Sequence, residues 1–150
     1  MKLEEELRTE KFKTVQQRAI LSILFTSNWI EEKTNECFKE YGISQEQYNV
    51  LRILKGQKGK PANLSTIQER MIHRMSNATR LVEKLKLKGY VNRVICEDNR
   101  RKVEITITPN GLDLLENLYP KLTNIEAKLF DTLSEKEAKE IGILLDKLRG

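Results

Sequence analysis

Phe12, Val15, Ala19, Ile23, Ile30 and Cys37 or Phe38 recur at three- and four-residue steps from about Glu10 to Tyr41, the spacing of one helix face. Gly42 ends that helix. Thirty residues of helix make a rod of roughly 45 Å, longer than a domain of this size requires for its own core, so the rod is expected to pack on something outside the domain. Ser44 and Gln47 form a capping-box pattern for a second helix bearing Tyr48, Leu51 and Leu54, and "GQKGKPAN" then supplies a loop. Ser65 and Gln68 repeat the pattern before a short helix with Ile67, Met71 and Ile72 inward. After His73-Arg74-Met75, Ser76 offers another N-cap. Ala78, Leu81, Val82 and Leu85 mark the buried face of the helix that follows, and Gly89 closes it.

The period then changes from helical to alternating. "YVNRVIC" reads as a strand, Asp98 to Arg101 as a turn, and Val103, Ile105 and Ile107 alternate with Glu104, Thr106 and Thr108 as a half-buried second strand. Thr108-Pro109 starts a further helix, with Thr as N-cap and Pro at the first helical position. That helix carries Leu112, Leu115, Leu118, Leu122, Ile125 and Leu129, and Pro120 is expected to kink it. Ser134 and Glu137 cap a last helix bearing Ala138, Ile141, Leu145 and Leu148. No internal repeat or low-complexity tract is present. Two short helices separated by three or four residues have helix-turn-helix spacing, and a hairpin directly after them makes a winged helix. The expected fold is mainly α with a small β-hairpin wing.

Composition narrows the class. A chain of 150 residues is most simply one domain. Its two cysteines, Cys37 and Cys96, lack metal-ligand spacing, so neither a disulfide scaffold nor a metal site is expected. "MKLEEELRTEKF" carries charges where a secretory signal needs an apolar core, and the longest apolar run, Ile20 to Phe25 broken by Ser22, is far too short to span a bilayer. The reading is a soluble, reducing, cytoplasmic protein. Its formal charge of +5 is unevenly placed. Between Lys60 and Lys102 there are eleven Lys and Arg against four Asp and Glu, net +7, whereas the rest of the chain is net −2. A local concentration of bases attracts a polyanion through counterion release.

The second helix of a helix-turn-helix enters the major groove with its N-terminal residues nearest the base edges. With Ala78, Leu81, Val82 and Leu85 inward, the opposite face presents Ser76, Asn77, Arg80 and Lys84, with Thr79 at its margin. Asn77 suits adenine, Arg80 suits guanine or phosphate, and Ser76, Thr79 and Lys84 suit phosphates. Ser76 also serves as a cap, and Lys84, Lys86 and Lys88 fit any helix C-terminus. Arg100, Arg101 and Lys102 lie where a wing meets the backbone or the adjacent minor groove, whose negative potential favours Arg. No enzyme constellation is visible: His73 is the single histidine, with no carboxylate pair, Gly-rich loop or Cys-His arrangement. The surplus apolar helix at both ends suggests two interlocked subunits, because a two-fold dimer suits symmetric half-sites. The rival reading is a winged-helix protein-interaction module that never binds DNA.

These features, with "LSTIQERM", "MSNATRLVEKLKLKGYVNR", the Arg-bearing wing and "LSEKEAKEIGILLDKL", resemble the MarR family of bacterial transcriptional regulators across nearly the whole chain. The resemblance implies a single domain over 1–150, with a DNA-binding lobe at about 43–110 and dimerisation helices at about 1–42 and 111–150. It implies a homodimer on a pseudo-palindromic double-stranded DNA operator, often a repressor, released by a small phenolic or amphipathic effector or by cysteine oxidation. No cofactor is implied. Family ligands sit between the dimerisation helices and the DNA-binding lobe, which makes Trp29, Tyr41 and Tyr48 candidate pocket residues, although a buried aromatic is more often plain core. Neither Cys37 nor Cys96 has a local reason for a depressed pKa. The family wing usually has Asp-x-Arg. Matching by eye gives Asp98 and Arg100, whereas counting back from Thr108-Pro109 puts Asn99 and Arg101 there, and the second register is preferred because strand length is harder to alter.

Overall fold

Side-chain caps set most of the helix starts. A computed structural model describes the backbone of residues 1–150 and every side chain except those of residues 99–101. The expectations for the Arg100 and Arg101 side chains, and for Asn99 in the wing motif, therefore lie outside the described residues. A short helix α1, Leu3–Glu6, precedes α2, Val15–Glu40. α2 starts later than the apolar repeat suggests because the Thr14 hydroxyl accepts the Gln17 N–H at 3.0 Å while Gln17 Oε1 accepts the Lys13 N–H at 2.8 Å. That satisfied end leaves Phe12 outside the helix. At the other end Gly42 takes φ +69°, and the Gly42 and Ile43 N–H groups return to the Lys39 and Phe38 carbonyls. Glycine enters that left-handed stop without steric cost.

α3, Gln45–Gly56, carries both reciprocal bonds of the Ser44–Gln47 capping box. It is followed by α4, Leu64–Arg70; α5, Ala78–Leu87; β1, Val91–Cys96; β2, Asn99–Ile107; α6, Pro109–Leu129; and α7, Glu135–Arg149. The strands pair antiparallel from Val91↔Ile107 to Ile95↔Val103, and the register shifts between Ile95 and Cys96. Ala62, in the loop before α4, adds a rung: its N–H donates to the Ile105 carbonyl at 2.9 Å, and the Ile105 N–H donates back at 2.8 Å. The fold is thus a mainly helical winged helix.

The chain forms two compact units, Met1–Thr34 and Asn35–Gly150. Within the second, Val50, Leu51 and Leu54 of α3, Ile67 of α4, Val82 and Leu85 of α5, Ile105 of β2 and Leu115 and Leu118 of α6 form one buried core. Each such aliphatic side chain contributes about 1.5–3 kcal/mol through burial. α7 is different: its Ser134–Glu137 capping box forms, yet it buries no residue, and Ile143, Leu144 and Leu148 stay exposed. Within the first unit Leu3 is buried and the Arg18 guanidinium pairs with Glu4 at 2.7 Å, holding that carboxyl below its usual range. Val15, Ile20 and Leu24 of α2 are exposed. Among the described residues no helix is long and apolar enough to cross a membrane.

Two expected core positions are corrected. Ile72 is 75 % exposed, because Met71 leaves the helical conformation at the end of α4 and the next side chain swings outward. Leu112 is 41 % exposed, since the inward face of α6 runs Gly111, Leu114, Leu115, Leu118 and Leu122. Gly111 sets that face: a Cβ there would lie 2.4 Å from the Tyr90 carbonyl oxygen and 2.7 Å from Ile107 Cγ1. Gly111→Ala is therefore expected to destabilise the fold by about 1–3 kcal/mol, the scale of overpacking. Urea unfolding checks it, and an unchanged midpoint would contradict this packing.

Candidate nucleic-acid interface

The helix-turn-helix is built from local caps and one longer-range staple. Asn63, not Ser65, caps α4: its Oδ1 accepts both the Thr66 N–H and the Ser65 hydroxyl at 2.8 Å. Gln68 does not complete a capping box. It reaches across the turn instead, donating through Nε2 to the Arg74 and Ser76 carbonyls at 2.6 Å each and accepting the Ala78 N–H on Oε1 at 3.2 Å. One amide thus satisfies three backbone groups in a turn that has no ladder to satisfy them. The Ser76 N–H meanwhile donates to the His73 carbonyl at 3.0 Å.

Asn77, rather than Ser76, is the N-cap of α5, with Oδ1 accepting the Arg80 N–H at 3.0 Å. This corrects the expected cap by one residue, because Ser76 has its carbonyl tied down by Gln68. It also commits one of the two groups through which an asparagine would read adenine bidentately. Burial of Ala78, Val82 and Leu85 turns Thr79, Arg80 and Lys84 outward, and all three are exposed. Among the described residues neither the Arg80 guanidinium nor the Lys84 ammonium has an ion-pair or hydrogen-bond partner. Ser76, Asn77, Arg80 and Lys84 line one open cleft of roughly 670 Å³, bounded also by Lys39 and Gln47. Lys88, at the C-cap of α5, donates to the Gly42 carbonyl.

Beside α5 stands the hairpin. β1 and β2 join across Glu97 and Asp98, and Lys102 on β2 is exposed. Arg93 of β1 pairs with Glu83 of α5 at 2.9 Å. Sequence reasoning overlooked both this contact and the Gln68 staple; a glutamine six to ten residues before its acceptors and donor carries no periodic signal.

The candidate pocket residues fall in different units. Tyr41 and Tyr48 belong to the second. The Tyr41 hydroxyl donates to the Asn117 carbonyl at 3.2 Å, with Lys121 Nζ 5.1 Å from its ring centroid. Tyr48 packs 4.8 Å from Phe38, centroid to centroid, and burial pushes its hydroxyl pKa up. Trp29 belongs to the first unit, where it lines a cleft of roughly 760 Å³ with Leu3 and Phe25. Burial raises the pKa of Cys37, with Glu40 adding to the effect, and partial desolvation with Glu104 nearby raises that of Cys96. Both shifts disfavour the reactive thiolate. No cluster of metal-ligating side chains occurs among the described residues.

Residues 43–103 match the model of the MarR family. The chain is 31 % identical over 118 residues to the HTH-type transcriptional regulator PapX of Escherichia coli, covering 71 % of this chain and 72 % of that protein. A MarR transcription factor from Planctomyces limnophilus superposes with a TM-score of 0.70 at 28 % identity, covering 91 % of this chain and 98 % of that one. The fold is also that of a MarR family transcriptional regulator from Streptomyces coelicolor solved in complex with DNA, with a TM-score of 0.78 at 18 % identity and 92 % of each chain covered. These relatives are transcriptional regulators.

Gln68→Glu places carboxylate oxygens against the Arg74 and Ser76 carbonyls in place of two donated bonds. It is expected to cost about 1–3 kcal/mol, read by urea unfolding with Ser65→Ala as the near-neutral comparison. A Gln68→Glu midpoint equal to wild type would remove the staple.

Proposed function

The chain belongs to the MarR family, and from that membership we propose that it works as a homodimer that grips a pseudo-palindromic operator, represses the promoter there, and releases it when a small phenolic or amphipathic effector binds. It is a DNA-binding transcriptional regulator. The observation that carries the mechanism is the outward face of α5, where Arg80 and Lys84 stand exposed and, among the described residues, unpaired beside a capped N-terminus. A guanidinium without a protein partner keeps its planar donor fork available for guanine, or for phosphate.

We assign base reading to Arg80 first. Asn77 keeps its Nδ2 donor for a base while its Oδ1 holds the cap, so its role in recognition is secondary. Ser76, Thr79 and Lys84 serve as phosphate contacts that fix register. Arg100, Arg101 and Lys102 serve as wing contacts to the backbone or minor groove. The lobe at about 43–110 carries these contacts, and the segments at about 1–42 and 111–150 carry dimerisation. The exposed apolar residues of α2, and separately those of α7, support that division, since water-facing Val15, Ile20, Leu24, Ile143, Leu144 and Leu148 gain by meeting a second subunit. Trp29 within the first unit, and separately Tyr41 and Tyr48 within the second, are kept as proposed effector contacts. The raised thiol pKa values disfavour cysteine oxidation as the release signal. We assign no catalytic activity, and place the protein in the cytoplasm with the chromosome it would bind.

Gel-shift titration against salt tests the reading. Affinity should fall steeply and log-linearly as salt rises. Arg80→Ala should relax base preference at one position of each half-site by about 1–3 kcal/mol, while Lys84→Ala should weaken every duplex alike and lower the salt slope by about one. Equal loss on all duplexes for both variants would remove the assignment, and a flat salt response would remove phosphate contact altogether.

A further inference from the structure

Glu83 is the only acid on α5, set among Arg80, Lys84 and Lys86 on the element that would face a polyanion. A carboxylate there opposes DNA binding by charge alone. Its partner explains its presence: Arg93 Nη1 on β1 donates to Glu83 Oε2 at 2.9 Å. The same guanidinium has its Nε–H buried with no acceptor among the described residues. A buried donor without a partner is a cost that a lysine or an apolar side chain would avoid. The retained guanidinium is thus accounted for by what it bridges rather than by its own satisfaction.

What it bridges is the junction of the two DNA-facing elements. Arg93 sits directly across from Ile105 in the ladder, and Ile105 is the residue whose N–H and carbonyl both bond to Ala62. One rung of the hairpin is therefore held at both edges, by the backbone of the α3–α4 loop on the β2 side and by Glu83 on the β1 side. On β1 the residues beyond that rung, Val94 and Ile95, are 58 % and 54 % exposed, and the register slips immediately after Ile95. On β2 Val103, opposite Ile95, is still buried in the core, so beyond the rung the exposed edge is that of β1.

We propose that the Glu83–Arg93 pair is a brace that sets the angle between the recognition helix and the wing, which makes both residues positioning residues for DNA binding rather than DNA contacts. The proposal rests on the DNA-binding reading above. It has a sign that a charge argument does not share. Removing the Glu83 charge would tighten binding if electrostatics were all that mattered. A brace requires the opposite, because an unset wing must be ordered on the duplex at the moment of binding.

The test uses the full-length protein on a duplex selected by the wild type, with affinity at fixed salt, hydroxyl-radical footprint and melting temperature measured together. Glu83→Gln should bind roughly two- to fivefold more weakly, the scale of one partly exposed ion pair. It should lose protection in the flanking minor groove while protection under the recognition helix persists. Arg93→Lys, which keeps the charge and loses the fork, should behave alike, and the exchanged pair E83R/R93E should regain the flanking protection. Glu83→Gln binding as tightly as wild type or more so, with flanking protection intact, overturns the brace. So does uniform loss of all protections in step with a lowered melting temperature. No wild-type footprint on any duplex overturns the DNA-binding reading itself, and the brace with it.

Discussion

Burial of Ala78, Val82 and Leu85 against the core is the constraint on which the rest depends. A helix has one period, so once those three positions face Val50, Leu51 and Ile67, the positions between them face water. Arg80 and Lys84 are presented because the apolar residues beside them have nowhere else to go. The rigidity of this presentation comes from the core. Its chemistry comes from what the core rejects.

A recognition surface also needs its parts held at fixed angles, and three unlike devices do this. The Gln68 amide closes the turn between α4 and α5 from inside. The Ala62–Ile105 pair ties the base of the hairpin to the loop before α4 by backbone bonds. The Glu83–Arg93 pair ties the other edge of that hairpin to α5 by charge. Backbone ties of this kind are insensitive to side-chain substitution, whereas the amide and the ion pair each depend on one residue type.

Much of the fold was legible in the sequence because helix ends are local chemistry. Ser44–Gln47, Ser134–Glu137 and Thr108–Pro109 each solve their own backbone within four residues, so pattern and structure coincide. Where two capping side chains were close neighbours the pattern was ambiguous: Asn63 displaced Ser65, whose expected partner Gln68 is engaged across the turn, and Asn77 displaced Ser76, whose carbonyl Gln68 holds. Ile72 was misplaced because the helical period was carried two residues past the end of α4. The outward placement of Thr79, Arg80 and Lys84 followed from periodicity, but the bond between Glu83 and Arg93 joins two elements whose packing is a tertiary matter and has no signature in spacing.

In the proposed complex α5 and the wing of two subunits read duplex DNA as a symmetric pair. Selection of bound duplexes from a random pool by the purified protein tests it most directly. A symmetric reader is expected to enrich an inverted repeat whose half-sites lie about one helical turn, roughly 10 base pairs, apart centre to centre. A pool that never enriches, or that enriches a single motif without two-fold symmetry, would contradict it.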